Sequence, residues 1–349
     1  MKILHILSSN KYSGAENVVC QIISNFKQHH QDCELFYCSP SGPIQEVLQR
    51  KNISFIGTKK NSKKQLQKIL DQLKPDIIHA HDFRSSVLSS MLRFNGRIFF
   101  HFHNNLPWMK RVSIKSLLVF WSCKKASIIY TVSKSVIDEC FFSKKMYSKF
   151  KCIGNPFDAY PIIEMSREAT VVNKYDIGFC GRLSKQKNPF AFIEIIKRIK
   201  EKKPDVTAIM IGDGELKESI EKLIEDSDLK ENIKIVGFLE NPFPTLKQCH
   251  VVIMPSLWEG FGLSALESLS LGIPVLASPV GGLPDFVNEK NGSLCNDVED
   301  YLKAYFSLVN NTDVYYQKSL EATKTGLHFS NSTSYCDALY NDYLKYLHE

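Results

Sequence analysis

Short apolar runs rich in β-branched and aromatic residues alternate along this chain with longer segments whose apolar positions return every three or four residues. The runs at 2–8, 33–38, 53–56, 76–80, 98–102 and 127–132 have the length and composition of buried strands, and 16–26, 44–50 and 63–73 read as helices between them. Strands apolar throughout, rather than alternating, belong in a parallel sheet covered on both faces. Right-handed crossovers then make this half a doubly wound, Rossmann-like unit. The pattern lapses over 155–174, where a proline and a polar run leave no period, and a linker is expected there. A second series follows, with strands at 177–180, 207–211, 233–236, 251–254 and 274–277 and helices at 189–201 and 216–227. Beyond Asp297 the chain reads as helical to a last helix over 332–347. A chain of 349 residues is long for one core and suits two domains of ordinary size.

The stretch 254–285, MPSLWEGFGLSALESLSLGIPVLASPVGGLPD, carries the most chemistry. The run 251–254 feeds a loop holding Glu259, Gly260, Phe261 and Gly262, and a helix starting near Phe261 or Gly262 places Glu267 about a turn and a half inside it. Gly260 and Gly262 permit close backbone approach. Open N–H groups at a helix start suit phosphate, and carboxylates accept hydrogen bonds from ribose and sugar hydroxyls. A nucleotide sugar fits that set. Leu266 and Leu269 flank Glu267, so its carboxylate is expected to be partly buried and in need of partners. Arg182 and Lys187 stand after another strand, at the Gly181 turn, where a planar guanidinium fork and a compact ammonium can both reach a diphosphate.

In order, these segments resemble the retaining glycosyltransferases of family 4, group 1, whose donor signature has two Glu separated by seven residues, as Glu259 and Glu267 are. Ser13-Gly14-Ala15-Glu16 stands where that family has Gly-Gly-Ala-Glu. Gly181-Arg182-Leu183 with Lys187 and Asn188 is similar to its phosphate-binding segment. Gly212-Asp213-Gly214, Gly237-Phe238 and the HFHN segment at 101–104 complete a set that spans nearly the whole chain. Ser13 departs from the family glycine, which bears on how closely the first loop can approach a ligand; Gly14 keeps one permissive residue.

The resemblance implies an α/β chain of GT-B fold, with two Rossmann-like domains facing a cleft. Residues 1–160 would form an acceptor-binding domain, 161–330 a nucleotide-sugar-binding domain, and 331–349 a helix crossing back to the first. It implies that Gly14, Gly181, Arg182, Lys187, Glu259, Gly260, Phe261, Gly262, Leu263 and Glu267 bind the donor. Glu267 would hold ribose hydroxyls, and Glu259 would stabilise positive charge at the anomeric carbon. Phe261, Gly262 and Leu263 would offer backbone amides, and Arg182 and Lys187 would neutralise the leaving diphosphate. Metal-dependent transferases give that last task to a cation at a DxD pair; no pair of that kind is seen, and no metal or other cofactor is expected. Glu259, His103, Arg182 and Lys187 are the catalytic candidates, with His103 and Asn104 on the acceptor side. His101 shares a strand face with His103 and reads equally as a core imidazole. His79 and His81 alternate at another strand end and rank below His103.

Charge changes the picture of partners. The net charge is +7, yet residues 1–160 hold 24 Lys and Arg against 10 Asp and Glu, a net of +14, and residues 161–349 hold 20 against 27, a net of −7. A basic first half favours an anionic membrane surface or a pyrophosphate-bearing acceptor. No helix-turn-helix, zinc-finger or RNA-recognition signature accompanies it, so nucleic acid is set aside. Residues 106–125 mix Trp108, Leu117, Leu118, Phe120 and Trp121 with Lys110, Arg111, Lys115, Lys124 and Lys125, which suits either a helix lying on a membrane or a core helix with a solvated basic end. No run reaches the roughly 18 to 20 apolar residues of a spanning helix. The first residues read as a strand rather than a signal peptide, and the ten scattered Cys as buried thiols of a reducing compartment.

The expected protein is therefore cytoplasmic and peripheral on the inner membrane face. By resemblance it moves a hexose or N-acetylhexosamine from a UDP-sugar to a polyprenyl-diphosphate-linked saccharide in capsule, exopolysaccharide or O-antigen assembly. A GT-B sugar-nucleotide 2-epimerase and an inactive sugar-nucleotide-binding module are the alternatives. The paired Glu and the Gly-Ala-Glu loop speak against the first, and the intact Glu259, Glu267, Arg182 and Lys187 against the second.

Overall fold

A computed structural model describes residues 1–168 and 175–348, which form two compact units, Met1–Phe157 with the C-terminal segment from Asn331, and Asp158–Ser330. The first holds a seven-stranded sheet of β1 (Lys2–Ile6), β2 (Glu34–Pro40), β3 (Phe55–Thr58), β4 (Ile77–Ala80), β5 (Arg97–Phe102), β6 (Ile128–Thr131) and β7 (Phe150–Cys152). The order is β3-β2-β1-β4-β5-β6-β7, and every pairing is parallel. The second holds β8 (Tyr175–Cys180), β9 (Ala208–Ile211), β10 (Ile233–Gly237), β11 (Cys249–Met254), β12 (Val275–Ala277) and β13 (Gly292–Leu294), in the order β10-β9-β8-β11-β12-β13, again all parallel. In each sheet the strand order reverses once, at β1/β4 and at β8/β11. Ligands of open α/β sheets bind beyond the carboxyl ends of the strands at such a reversal.

The strands form where the apolar runs lie, because both sheet faces are covered. In the second unit the helix Pro189–Lys200 buries Phe192, Ile193, Ile195, Ile196 and Ile199, and the helix Val298–Val309 adds Tyr301, Leu302, Tyr305 and Leu308 to the same core. In the first unit the last helix, Ser332–His348, lies against the helix Gly14–His29, with Tyr340 stacked on His30 at 4.1 Å. Asp342 of that helix accepts hydrogen bonds from Tyr130 Oη at 2.9 Å and Lys151 Nζ at 2.7 Å.

Several expectations shift. The strand expected at 53–56 lies at Phe55–Thr58, and the helix expected at 16–26 runs over Gly14–His29. The strands β7 and β13 went unseen; each is three residues long, too short to show a period, and each is a sheet edge. The linker expected over 155–174 is partly helical. Asp158 caps a helix at Ala159–Met165 by accepting from Tyr160 N at 3.0 Å, and Pro161 fits because the first-turn N–H groups have no partner in any helix. That helix packs on the helices of the second unit, so the unit begins at Asp158 rather than 161. The rest of that linker, 169–174, lies outside the described residues. Among the described residues no helix is long and apolar enough to cross a membrane.

Candidate functional site

The second unit gathers its candidate residues at the β8/β11 reversal. From β8 the chain turns at Gly181 through Arg182 to Lys187, and Asn188, at φ +52°, leads into Pro189 at the start of the next helix. From β11 it enters the loop 255–262 and then the helix Leu263–Ser270. The loops meet through one ion pair: Lys187 Nζ donates to Glu259 Oε1 at 2.6 Å. Glu259 is 4% exposed, and burial of a lone carboxylate on that scale is tolerated only with partners. Ser256 Oγ donates to the same oxygen at 2.8 Å, and Gln186 Nε2 lies 3.5 Å from the other. Leu257 N donates to Gln186 O at 2.8 Å, so backbone as well as side chains join the loops.

Two glycines set the shape of this region. An added Cβ on Gly212 would stand 2.0 Å from Gly181 O, so the loop after β9 can close on the Gly181 turn only with no side chain there. Gly281, at φ +62°, would place a Cβ 2.2 Å from Glu259 O. Gly281 and Gly282 form the wall behind the acidic loop, and Gly282 N donates to Gly260 O at 3.0 Å. The backbone of Gly260 and Gly262 is buried, and so is Phe261.

Glu267 lies in the second turn of the helix Leu263–Ser270 and is partly buried. Burial raises its carboxyl from 4.5 to about 7, and Lys187 pulls the other way. Cys180, at the end of β8, feels both groups: burial first and the Glu267 carboxylate second push its thiol up to about 12, against Lys187. Lys187 therefore reaches both carboxylates electrostatically while bonding one. Arg182 is exposed. Asp226-Ser227-Asp228 spells a DxD pair that sequence reading passed over. It closes the helix Lys217–Asp226, and Asp228 is spent on Lys200 at 3.1 Å.

In the first unit Gly14 opens the helix after β1, and a Cβ there would meet no protein atom within 4 Å. The fold itself does not require glycine at this position. Ser13 does not cap the helix backbone; its hydroxyl donates to the Glu16 carboxylate.

His103 follows β5 by one residue and belongs to a row that sequence reading did not foresee. His5 on β1, His79 on β4, and His81, His101 and His103 at the ends of β4 and β5 share one sheet face. His101 and His103 stack at 4.0 Å and His79 and His81 at 4.1 Å. His5 Nδ1 pairs with His81 Nε2 at 2.8 Å, and His81 Nδ1 with His103 Nε2 at 3.1 Å. His79 Nδ1 meets Tyr343 Oη of the last helix at 2.6 Å. Burial drives all five rings toward the neutral form, His5 and His103 to about 3, with Asn155 opposing at His103. A neutral imidazole donates at one nitrogen and accepts at the other, so the proton direction in the His5–His81–His103 chain fixes the tautomer of His103. Its Nε2 is engaged either way, and Nδ1 is the other polar edge. His101 is fully buried with neither ring nitrogen hydrogen-bonded, not the satisfied core imidazole that was one reading of it. Ring nitrogens in the sets His5, His79, His81 and His81, His101, His103 come within 4.8 Å of one another. Within these sets the ring planes are tilted by 21° to 37° to one another, and the His5–His81 and His81–His103 contacts are hydrogen bonds. Asn104 is half-buried beside His103, and the neighbouring Asn105 donates to Glu139 at 2.7 Å.

Residues 12–159 match the model of Glycosyltransferase Family 4 and residues 163–322 that of Glycosyl transferases group 1. The chain belongs to this family and is a glycosyltransferase of GT-B fold. It is 28% identical over 354 residues to UDP-Gal:alpha-D-GlcNAc-diphosphoundecaprenol alpha-1,3-galactosyltransferase of Escherichia coli, covering 90% of this chain and 88% of that one. It is also 28% identical to an uncharacterized glycosyltransferase of Methanocaldococcus jannaschii, over 60% of this chain, and spans 57% of that relative's length. The crystal structure of Anabaena HepE in complex with UDP-glucose superposes with a TM-score of 0.86 at 20% identity, covering 99% of this chain and 100% of that one.

Proposed function

We propose that the chain is a retaining, metal-independent transferase. It would move a hexose or N-acetylhexosamine from a UDP-sugar to a saccharide carried on polyprenyl diphosphate, in the assembly of a bacterial capsule, exopolysaccharide or O-antigen. The observation that carries this reading is the Lys187–Glu259 pair, 2.6 Å long with its carboxylate buried, set between two glycine-bounded loops at a strand-order reversal. An ammonium has three donors, so Lys187 can keep Glu259 and still offer hydrogens to a phosphate oxygen. Arg182, exposed in the same loop, adds a second cation for the diphosphate. Glu267 accepts from the ribose hydroxyls, and the N–H groups of Phe261, Gly262 and Leu263 face the donor. The HepE complex with UDP-glucose and the relative acting on a diphosphoundecaprenol-linked sugar support the choice of donor and acceptor classes.

In the reaction, the bond from the anomeric carbon to the diphosphate oxygen breaks as the acceptor oxygen bonds that carbon from the same face. The acceptor proton passes to the departing diphosphate oxygen. Negative charge grows on the leaving group, where Arg182 and Lys187 lie, and positive charge on the sugar, where Glu259 lies. His103 and Asn104 hydrogen-bond the sugar or the incoming acceptor. The basic first half, net +14 over residues 1–160, keeps the enzyme on the anionic inner membrane face where that acceptor resides. The test is Arg182→Ala and Glu267→Ala: each is expected to lower transfer by about 10²-fold or more with thermal melting unchanged. Full turnover in either purified variant overturns the assignment. Appearance of an epimerised sugar nucleotide without acceptor moves the chain to the isomerase class.

A further inference from the structure

The helix Ile114–Cys123 is built inside out. Its buried residues are Ser116, Val119, Ser122 and Cys123. The serines are satisfied locally: Ser122 Oγ donates to Leu118 O at 2.7 Å and lies 3.1 Å from Ser90 Oγ, and Ser116 with Ser113 forms a reciprocal cap. Four of its apolar residues face outward instead. Ile114 is 81% exposed, Leu118 53% and Trp121 61%, with Leu117 between them. Positions 114, 117, 118 and 121 are spaced i, i+3, i+4, i+7, which makes one continuous stripe on the face opposite the buried Ser116 and Cys123. Val112, just before the helix, is 69% exposed.

Cations border that stripe. At 100° per residue Lys115 falls on one flank and Lys124 on the other, and both are exposed. Arg111 precedes the helix and Lys125 follows it, and no Asp or Glu occurs from 106 to 125. Lys124 Nζ stands 3.7 Å over the Trp121 ring, an arrangement that keeps an amphipathic ring and a cation at one level. The C-terminus is locked from below, where Lys149 Nζ donates to Lys124 O and Ala126 O at 2.7 Å each. An apolar stripe with cations along both edges and none of the opposite charge is complementary to a surface with an apolar interior and an anionic rim. A helix held rigid by its polar face loses little entropy on meeting it.

We infer that the outward stripe Ile114–Leu117–Leu118–Trp121, with Lys115 and Lys124 at its edges, is the element by which this chain docks in the plane of an anionic phospholipid surface. It deepens the reading of a membrane-borne acceptor by naming the contact, and its test needs no sugar transfer. The full chain is mixed with phosphatidylcholine vesicles, with or without 30% phosphatidylglycerol, which we take as roughly the content needed for an appreciable surface charge, and floated on a density gradient. The wild-type chain is expected to float with the anionic vesicles and to be released by high salt in part. Leu118→Ser with Trp121→Ser, both at exposed positions, is expected to weaken binding by about tenfold or more, and Lys115→Glu with Lys124→Glu to weaken it only at low salt. Transfer to a water-soluble acceptor should be unchanged in these variants, so loss of vesicle binding and loss of catalysis are read separately. Equal flotation of the Leu118/Trp121 variant and wild type overturns the inference. So does a wild-type chain that ignores vesicles but dimerises through this face, seen as a dimer-to-monomer change on the same substitutions.

Discussion

Glu267 shows how one side chain couples burial to chemistry. A carboxyl held at about 7 is half protonated near neutral pH, and only its ionised form leaves both oxygens as pure acceptors for the ribose hydroxyls. Donor kcat/KM should therefore rise with pH from about 6 to 8 and level off, since that parameter reports the free enzyme's groups. Glu267→Gln should lower it throughout and erase the rising limb; a limb that survives in the Gln variant assigns the titration elsewhere. The residue types at this site were legible from their order along the chain. Their partnerships were not. Lys187 and Glu259 are 72 residues apart, and nothing in either segment announces that the ammonium bonds the first of the two glutamates. Ser256 went unnoticed because a serine three residues before a glutamate is unremarkable until the loop folds.

At the scale of elements, the acidic loop depends on the turn behind it. Gly281→Ala would need an L-residue in the left-handed region, at a cost of about 1–2 kcal/mol, with its Cβ 2.2 Å from Glu259 O before anything moves. The Glu259 backbone must then shift. We expect a modest fall in melting temperature and a larger loss in donor turnover, about tenfold or more, since small misplacements near reacting atoms are costly. A variant with normal turnover removes the loop-wall role. The central strands of each sheet were legible because they are buried on both faces and largely apolar. The edge strands β7 and β13 were not, and neither was the helix Ala159–Met165, whose cap at Asp158 sits within a polar run. The histidine row lay between these cases. Its alternation on single strands was visible at 79/81 and 101/103, but the adjacency of β1, β4 and β5 that joins five rings belongs to topology.

Over the whole molecule that row makes stability depend on pH. The folded chain keeps these imidazoles neutral, while the unfolded chain charges them from the ordinary value of 6.5 downward. Between 6.5 and about 3 the unfolded state binds more protons, so stability is fully present above 6.5 and falls as pH falls. Each such histidine contributes about 1.4 kcal/mol per pH unit to that fall. Denaturant midpoints should drop between pH 7.5 and 5.5, and His5→Phe should shallow the drop; a midpoint independent of pH contradicts burial of the row.

The two-unit plan and its parallel sheets could be read from the alternation of elements. The return of the last helix to the first unit rested on resemblance alone, because the aromatic side chains that dock it, Tyr340 and Tyr343, look like any others in the sequence.

The central claim is sugar transfer from a nucleotide donor to a lipid-linked acceptor. The purified chain, incubated with radiolabelled UDP- and GDP-sugars and a bacterial polyprenyl-lipid fraction, tests it by the label that enters the organic phase. The account predicts label from a UDP-sugar, and none with Lys187→Ala. Donor binding without label from any sugar, or label that persists undiminished in the Lys187→Ala chain, would contradict it.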